Sequence, residues 1–403
     1  MPGQEADILQ KLKWSFPWLL RYPLWRARNL ITAGGQRDGL SHIIFVIADH
    51  FEPGVETQAF RSVERWCRLA ASTGNSIRDH DGTPYRHTYF FPAEQYDSAS
   101  IELLCELQSA GLGEVEVHLH HGVDHPDNAE NTRYLLETFR DSLAYKHRCL
   151  SRENPSASPR YAFVHGNVAL ANSAGGRNCG VDSEMQVLAE TGCYADFTLP
   201  SAPDQSQVPK INAIYQCGNP LHEARPHRSG PDLKVGDKPT LPIIVNGPLV
   251  FDWTRRVHGL PVPRIDDGAL ANNYPLKMDR FKRWQSAHIG VQGRPEWIFI
   301  KLHCHAFFEY DREAMMGDQL RRFMQEILDW SEATGVFKIH FASAREVFNM
   351  IVAALEGESG DPAQFRDYRL RPIWKEAELS QTHTQAVESL RRWGKSNEAN
   401  GIR

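Results

Sequence analysis

Between Glu114 and His125 the chain reads EVEVHLHHGVDH, a run dense in imidazoles and carboxylates. On an extended backbone Val115, Val117 and Leu119 share one face, while Glu114, Glu116, His118 and His120 share the other. Gathering imidazoles at the end of one strand costs desolvation unless something binds them, and a divalent metal ion is the commonest such ligand. The bland alternative is a solvated histidine-rich loop. His120 and Asp124 stand four apart, as do His121 and His125, so a helical turn after the strand would let either pair hold one ion. Side-chain parity turns His118 and His120 inward and favours the pairing of His120 with Asp124.

Three other segments carry similar chemistry. ADHFEP offers Asp49, His50 and Glu52, with Asp49 readable as a functional carboxylate or as the cap of the following turn, and Glu52 as solvated. FVHGN contributes His165 and Asn167, and KLHCHA contributes His303 and His305. A histidine at such a position can act as a general acid or donate a hydrogen bond to a tetrahedral intermediate; a core imidazole bonded to a carboxylate is its structural alternative. The expected ligand set is Asp49, His50, His118, His120 and Asp124. Imidazole and carboxylate donors suit zinc, with cobalt, nickel or manganese as alternatives, and leave positions open for water and substrate. Asp49, His165 and His303 are the expected catalytic groups; Asn167 and His305 are expected substrate contacts. Cys304 has the opposite parity to His303 and His305 and is expected to face helices, which disfavours a thiol nucleophile.

These residues sit where strands end. Apolar runs at 43–47, 86–91, 114–119, 161–165, 194–198, 242–245, 297–302 and 337–341 alternate with helical patterns at 58–72, 98–110, 131–147, 182–191, 274–285, 317–331 and 344–354. Strand followed by helix, with short connections, predicts parallel strands. Polar clusters at strand C-termini, with no glycine-rich phosphate turn after the first strand, favour a distorted (β/α) barrel of seven or eight strands over a dinucleotide-binding sheet. The stretch from Pro200 to about Thr240 has no period and reads as a long functional loop.

The 403 residues divide into an N-terminal arm (1–40), the barrel (41–356) and a polar C-terminal tail (357–403) with one amphipathic segment, Thr384 to Trp393. A net charge of −5 with no basic block argues against nucleic acid as a partner. Seven scattered cysteines without a CxxC pair suggest reduced thiols and a cytoplasmic location. There is no secretory pattern and no long apolar span. Leu12 to Ile31 interleaves Trp14, Phe16, Trp18 and Trp25 with Lys13, Arg21, Arg26 and Arg28. It is expected to dock on the barrel, with Pro17 and Pro23 interrupting any continuous helix, or else to lie at the inner face of a membrane.

With these residues in place the chain resembles the NodB-homology polysaccharide deacetylases of the glycoside hydrolase/deacetylase barrel superfamily, as a divergent bacterial subgroup, over roughly residues 40 to 355. The family's first motif, a pair of Asp, is matched by Asp49-His50, with His in place of one Asp. Its second is matched by His120 with Asp124, or by His121 with His125 followed by Pro126, and its last by Leu302-His303. FVHGN, ANSAGG, CGVDSE and YADFTLPSAP stand where the family has an Arg/Pro groove motif. The resemblance implies a barrel and metal-dependent removal of an N- or O-acetyl group from a carbohydrate or lipid-linked glycan. It further implies Asp49 as base or ligand, His165 at the oxyanion, His303 protonating the leaving group, and Trp253 stacking on a sugar ring. A glycosidase of the same superfamily and a catalytically silent glycan-binding barrel are the alternatives.

Overall fold

The computed structural model describes residues 8–34, 39–55 and 59–378. Its centre is a nine-stranded, mainly parallel sheet. The strands are β1 (Ser41–His50), β2 (His87–Pro92), β3 (Gly113–Leu119), β4 (Tyr161–His165), β5 (Cys193–Asp196), β6 (Ile214–Tyr215), β7 (Ile243–Val245), β8 (Trp297–Cys304) and β9 (Phe337–Phe341). They run in the order β8-β1-β2-β3-β4-β5-β7-β6, and only the β6–β7 pairing is antiparallel. β1 is the hub. Its N-terminal half pairs with β9, its C-terminal half with β2, and its whole length with β8. No ladder among the described residues joins β8 to β6 or β7, so the structure establishes a mixed α/β sheet without the hydrogen-bonded closure of a barrel. β6 lies inside the stretch expected to be loop; its two residues give no period to read.

Each face of the sheet has its own core. Ile43, Phe45 and Ile47 of β1 join Tyr89, Phe91, Val115, Val117, Leu119 and Phe163 under α3 (Ala59–Ser76), α4 (Ser98–Ser109) and α5 (Ala129–Asp141). Ile44, Val46 and Ala48 join Phe90, Ala162, Val164, Tyr194 and Ala195 on the other face. Completing the layers are α6 (Glu184–Thr191), α7 (Met278–Ala287), α8 (Asp318–Thr334) and α9 (Ala344–Leu355). The expected helix at 131–147 ends as α5 at Asp141 and continues as a single π turn, Ser142–Lys146.

α9 lies against the second face and is buried almost all round, as its near-continuous apolar sequence demands. Its polar members are therefore paired. Arg345 donates both arms of its guanidinium to Glu114 at the start of β3, with Nη2–Oε1 at 2.6 Å, and to the Leu370 carbonyl. Glu346 closes a capping box with Ser343 and accepts from Arg86 and Arg366. Arg366 and Leu370 belong to the expected tail, so residues 357–378 dock on α9; Thr384–Trp393 lies outside the described residues.

The arm forms two helices, α1 (Ile8–Leu19) and α2 (Tyr22–Gly34), where two prolines had suggested breaks. The α1 helix runs through Pro17, and Pro23 sits in the first turn of α2, where its missing N–H is not needed. Trp18 is fully buried against Leu249, Ile211 and Phe251. Leu9, Leu12, Phe16, Leu20, Leu24, Leu30 and Ile31 remain exposed. No helix among the described residues is long and apolar enough to cross a membrane.

Burial pushes the Glu346 carboxyl up, but Arg86, Arg366 and Arg345 outweigh it and hold the group below its ordinary value of 4.5. A carboxyl depressed in the folded state stabilises the protein above pH 4.5, and that contribution drains away as pH falls below it. Urea midpoints measured across pH are expected to decline below pH 4.5. Glu346→Gln is expected to flatten this decline and to cost about 3 kcal/mol at neutral pH, because buried guanidinium groups lose their carboxylate.

Candidate metal centre at the strand ends

β8 is the neighbour of β1 and β3 lies two strands from β1 on the other side, so residues leaving their C-terminal ends on one face converge. His50, the last residue of β1, shares the face of Ala48 and Val46. His118 is on the same face of β3, and His305 follows β8. The ring centroids of His50 and His118 are 5.0 Å apart, those of His50 and His305 4.6 Å, and those of His118 and His120 4.6 Å. Glu52, expected to be solvated, turns inward instead: its Oε1 lies 3.2 Å from His118 Nε2, 3.7 Å from His120 Nε2 and 4.0 Å from His50 Nδ1. Donor atoms of His50, Glu52 and His118 all fall within 4.8 Å of one another.

Burial keeps His50 and His303 neutral. Burial lowers the His50 pKa well below its ordinary value, and His305, His118, His303 and Lys301 push the same way. Burial also lowers His303, reinforced by Lys301 and His305. Glu52 behaves oppositely: burial raises its pKa, but the His118 bond and the surrounding imidazoles bring the net shift down, so it is a carboxylate. Lys301 is buried beneath the histidines, its Nζ donating to the Leu199 carbonyl at 3.1 Å, and burial lowers it to about 8 against the pull of Asp196 and Asp267. Imidazoles beside an ionised carboxylate form an N/O donor set that suits a divalent ion. His303 Nδ1 is buried without a hydrogen-bond partner, and its Nε2 stands 4.0 Å from Asp267.

His120 is held differently. Its Nδ1 lies 2.5 Å from Glu94 Oε1, and its backbone N–H donates to the same carboxylate. Burial opposes its protonation, yet the Glu94 bond and Glu52 raise its pKa above the ordinary value. An imidazole oriented by a carboxylate and biased toward the charged form can carry a proton. Glu94 was not foreseen; it lies in a short turn after β2, and only the fold brings it to His120.

Several expected residues are placed elsewhere. Asp49 has the parity of Phe45 and Ile47 and points to the opposite face from His50, with no exposure. There its Oδ2 accepts from His87 Nδ1 at 2.8 Å and its Oδ1 from the Ala306 N–H at 2.9 Å, while Cys304 packs beside His87, away from the site as its parity predicted. Asp49 thus does not share an ion with His118 or His120; it fixes the backbone just after His305. Asp124 and His125 lie on an exposed bend that begins at Gly122 (φ +62°), not on a helical turn, and neither is brought to His120 or His121 as a fourth-residue partner. His165 lies on the helix-covered face of β4 with His121, and Asn167 is exposed in a left-handed conformation after that strand. Trp253 is 57% exposed, its ring tilted 5.9 Å from that of Phe251. Beside the site a ladder of rings not foreseen leads outward: His305 stacks on Phe308 at 4.8 Å, and Phe308 on Tyr310 at 5.4 Å, with Phe308 42% and Tyr310 68% exposed. A cavity of about 690 Å³ lies away from this site, at the N-terminal ends of the strands, between Tyr194, Phe348 and Leu355.

Asp49→Ala is expected to leave the His87 Nδ1–H and the Ala306 N–H buried and unpaired, costing about 2–5 kcal/mol in urea unfolding. Compared with models of known families and with curated proteins, the chain matches none.

Proposed function

We propose that the protein is a metal-dependent hydrolase that removes acetyl groups from a carbohydrate, on a distorted barrel of the polysaccharide-deacetylase type. The observation that carries this reading is the convergence of His50, His118 and Glu52 at the C-terminal ends of parallel strands, where such enzymes build their sites.

His50, His118 and Glu52 would hold the ion, with His305 beside them; zinc fits the donors, and cobalt, nickel or manganese could replace it. When bound, the ion supplies Lewis acidity to the acetyl carbonyl. His120, oriented by Glu94, takes the proton of the attacking water and returns it to the departing amine or alkoxide, leaving acetate. His303, neutral and with a free Nδ1, donates a hydrogen bond rather than a full charge. Phe308 and Tyr310 form a flat apolar shelf beside the site, and such faces bind sugar rings. The exposed apolar side chains of the arm, with Lys13, Arg21, Arg26 and Arg28 among them, fit a peripheral position on the inner, anionic face of a membrane, where a lipid-linked glycan would be met.

Acetate release from N- and O-acetylated oligosaccharides tests the reaction. The metal-loaded protein is expected to release acetate, His120→Ala to lose about 10²- to 10⁴-fold in kcat, and chelation to abolish turnover. Release of reducing ends without acetate would overturn the assignment. For the arm, co-sedimentation with vesicles containing anionic phospholipid is expected to fall at least about tenfold in the double variant Phe16→Ser, Ile31→Ser, because two buried apolar contacts are lost. Trp18, which anchors the arm, is untouched by these changes.

A further inference from the structure

The face of the sheet opposite the proposed catalytic centre carries a second, denser group of donors. His121, just after β3, and His165, the last residue of β4, bring their Nε2 atoms to 3.1 Å. Glu184, at the start of α6, places Oε1 2.8 Å from the first and 3.3 Å from the second. Cys179 Sγ lies 3.5 Å from the other oxygen of Glu184, and one donor atom from each of the four residues falls within 4.8 Å of the rest. All four side chains are closed off from solvent.

The outer ring atoms decide what the inner ones are. His121 Nδ1 is 2.9 Å from Asp127 Oδ2, and His165 Nδ1 faces the Gly166 carbonyl. Both partners only accept, so each Nδ1 carries a proton and, in the neutral ring, each Nε2 presents a lone pair. Two lone pairs and a carboxylate oxygen then meet in a dry pocket, an arrangement that needs a cation among them, either a proton shared between His121 Nε2 and Glu184 Oε1 at 2.8 Å or a metal ion in its place. Imidazoles whose outer nitrogen is held by a carboxylate or a carbonyl are the usual surroundings of a bound metal. Near them His227 is fully buried with neither ring nitrogen hydrogen-bonded; burial lowers its pKa, against the pull of Glu184.

The backbone is shaped to the same end. Gly122, in a left-handed conformation, lies so close to Cys179 that an added Cβ would fall 2.1 Å from its carbonyl oxygen, and Asp127 N–H donates to that same oxygen. The loop after β3 and the loop carrying Cys179 are thereby clamped face to face. The other donor groups of the described residues differ. In Asp49, His87 and Cys304 the imidazole is already spent, with Nδ1 on Asp49 and Nε2 accepting from Tyr85.

We infer that His121, His165, Glu184 and Cys179 form a closed structural site for a zinc-like divalent cation, distinct from the catalytic centre proposed above. No donor position faces solvent, which is the mark of a structural rather than a catalytic site. On binding, Cys179 ligates as thiolate and its proton leaves to solvent. The ion ties the end of β3, the end of β4 and the first turn of α6, and so fixes the chain that also carries His118 and His120.

Cobalt(II) loading of the full-length protein tests this, because the proposed catalytic donors include no sulfur. A thiolate-to-cobalt charge-transfer band is expected in the wild type and in His50→Ala and Cys304→Ser, and is expected to vanish in Cys179→Ser. Elemental analysis is expected to find one metal equivalent fewer in Glu184→Gln than in the wild type. Absence of the band from cobalt-loaded wild type, its loss in Cys304→Ser instead, or equal metal content in wild type and Glu184→Gln would overturn the site. None of these readouts depends on deacetylase activity, so the two proposals fail separately.

Discussion

A β-strand sends successive side chains to opposite faces, and in this protein that constraint sorts the chemistry. His50 and His118 go to the face shared with α9, whereas Asp49, His87, Cys304 and His165 go to the face covered by α3 to α6. One-residue offsets along β1 and β8 therefore separate two groups of donors that would otherwise compete for the same ligand. The same alternation explains why Asp49, next to His50 in sequence, serves as a bracket for the Ala306 backbone rather than as a partner of the imidazoles.

The face that holds the proposed catalytic centre is unusually polar for a sheet interior, and it is stable because its charges are paired below the site. Glu114 is met by Arg345, and Glu116 accepts from Tyr194 and from the Ala162 N–H. Burial nevertheless raises the Glu116 carboxyl to about 8, so the group is largely protonated at neutral pH and adds no bare charge to the core. With α9 occupying the N-terminal half of this face, the histidines are left as the groups at the C-terminal half, where the chain loops can shape access to them.

Outside the sheet, the arm and the aromatic shelf give the site its setting. Trp18 and Tyr22 fasten the arm to Phe251, two residues before the exposed Trp253, so the arm and the chain around Trp253 are mechanically continuous. The proposed membrane-borne ligand and the proposed stacking of sugar rings are compatible demands on one molecule, since each would use apolar area that water would otherwise cover.

Much of the fold was legible from periodicity. The strands at 161–165 and 337–341 coincide with the expected ones, and the helices differ mostly at their ends, where fraying and caps decide the boundary. The strand-end histidines were legible as well, because polar residues interrupting buried apolar runs stand out. What could not be read was which face of β1 is which: both faces are buried, so no polar–apolar contrast marks the orientation of Asp49 against His50. Nor were Glu94 and Glu184 identifiable as partners of His120 and His121, for an isolated glutamate after a strand or at a helix start reads as solvated. Sequence alone determined the local elements and the residues able to coordinate, since both follow from the chemistry of neighbours along the chain. The grouping of those residues into an open set with Glu52 and a closed set with Glu184 was decided only by the tertiary structure, because it depends on desolvation and on contacts between segments far apart in the chain.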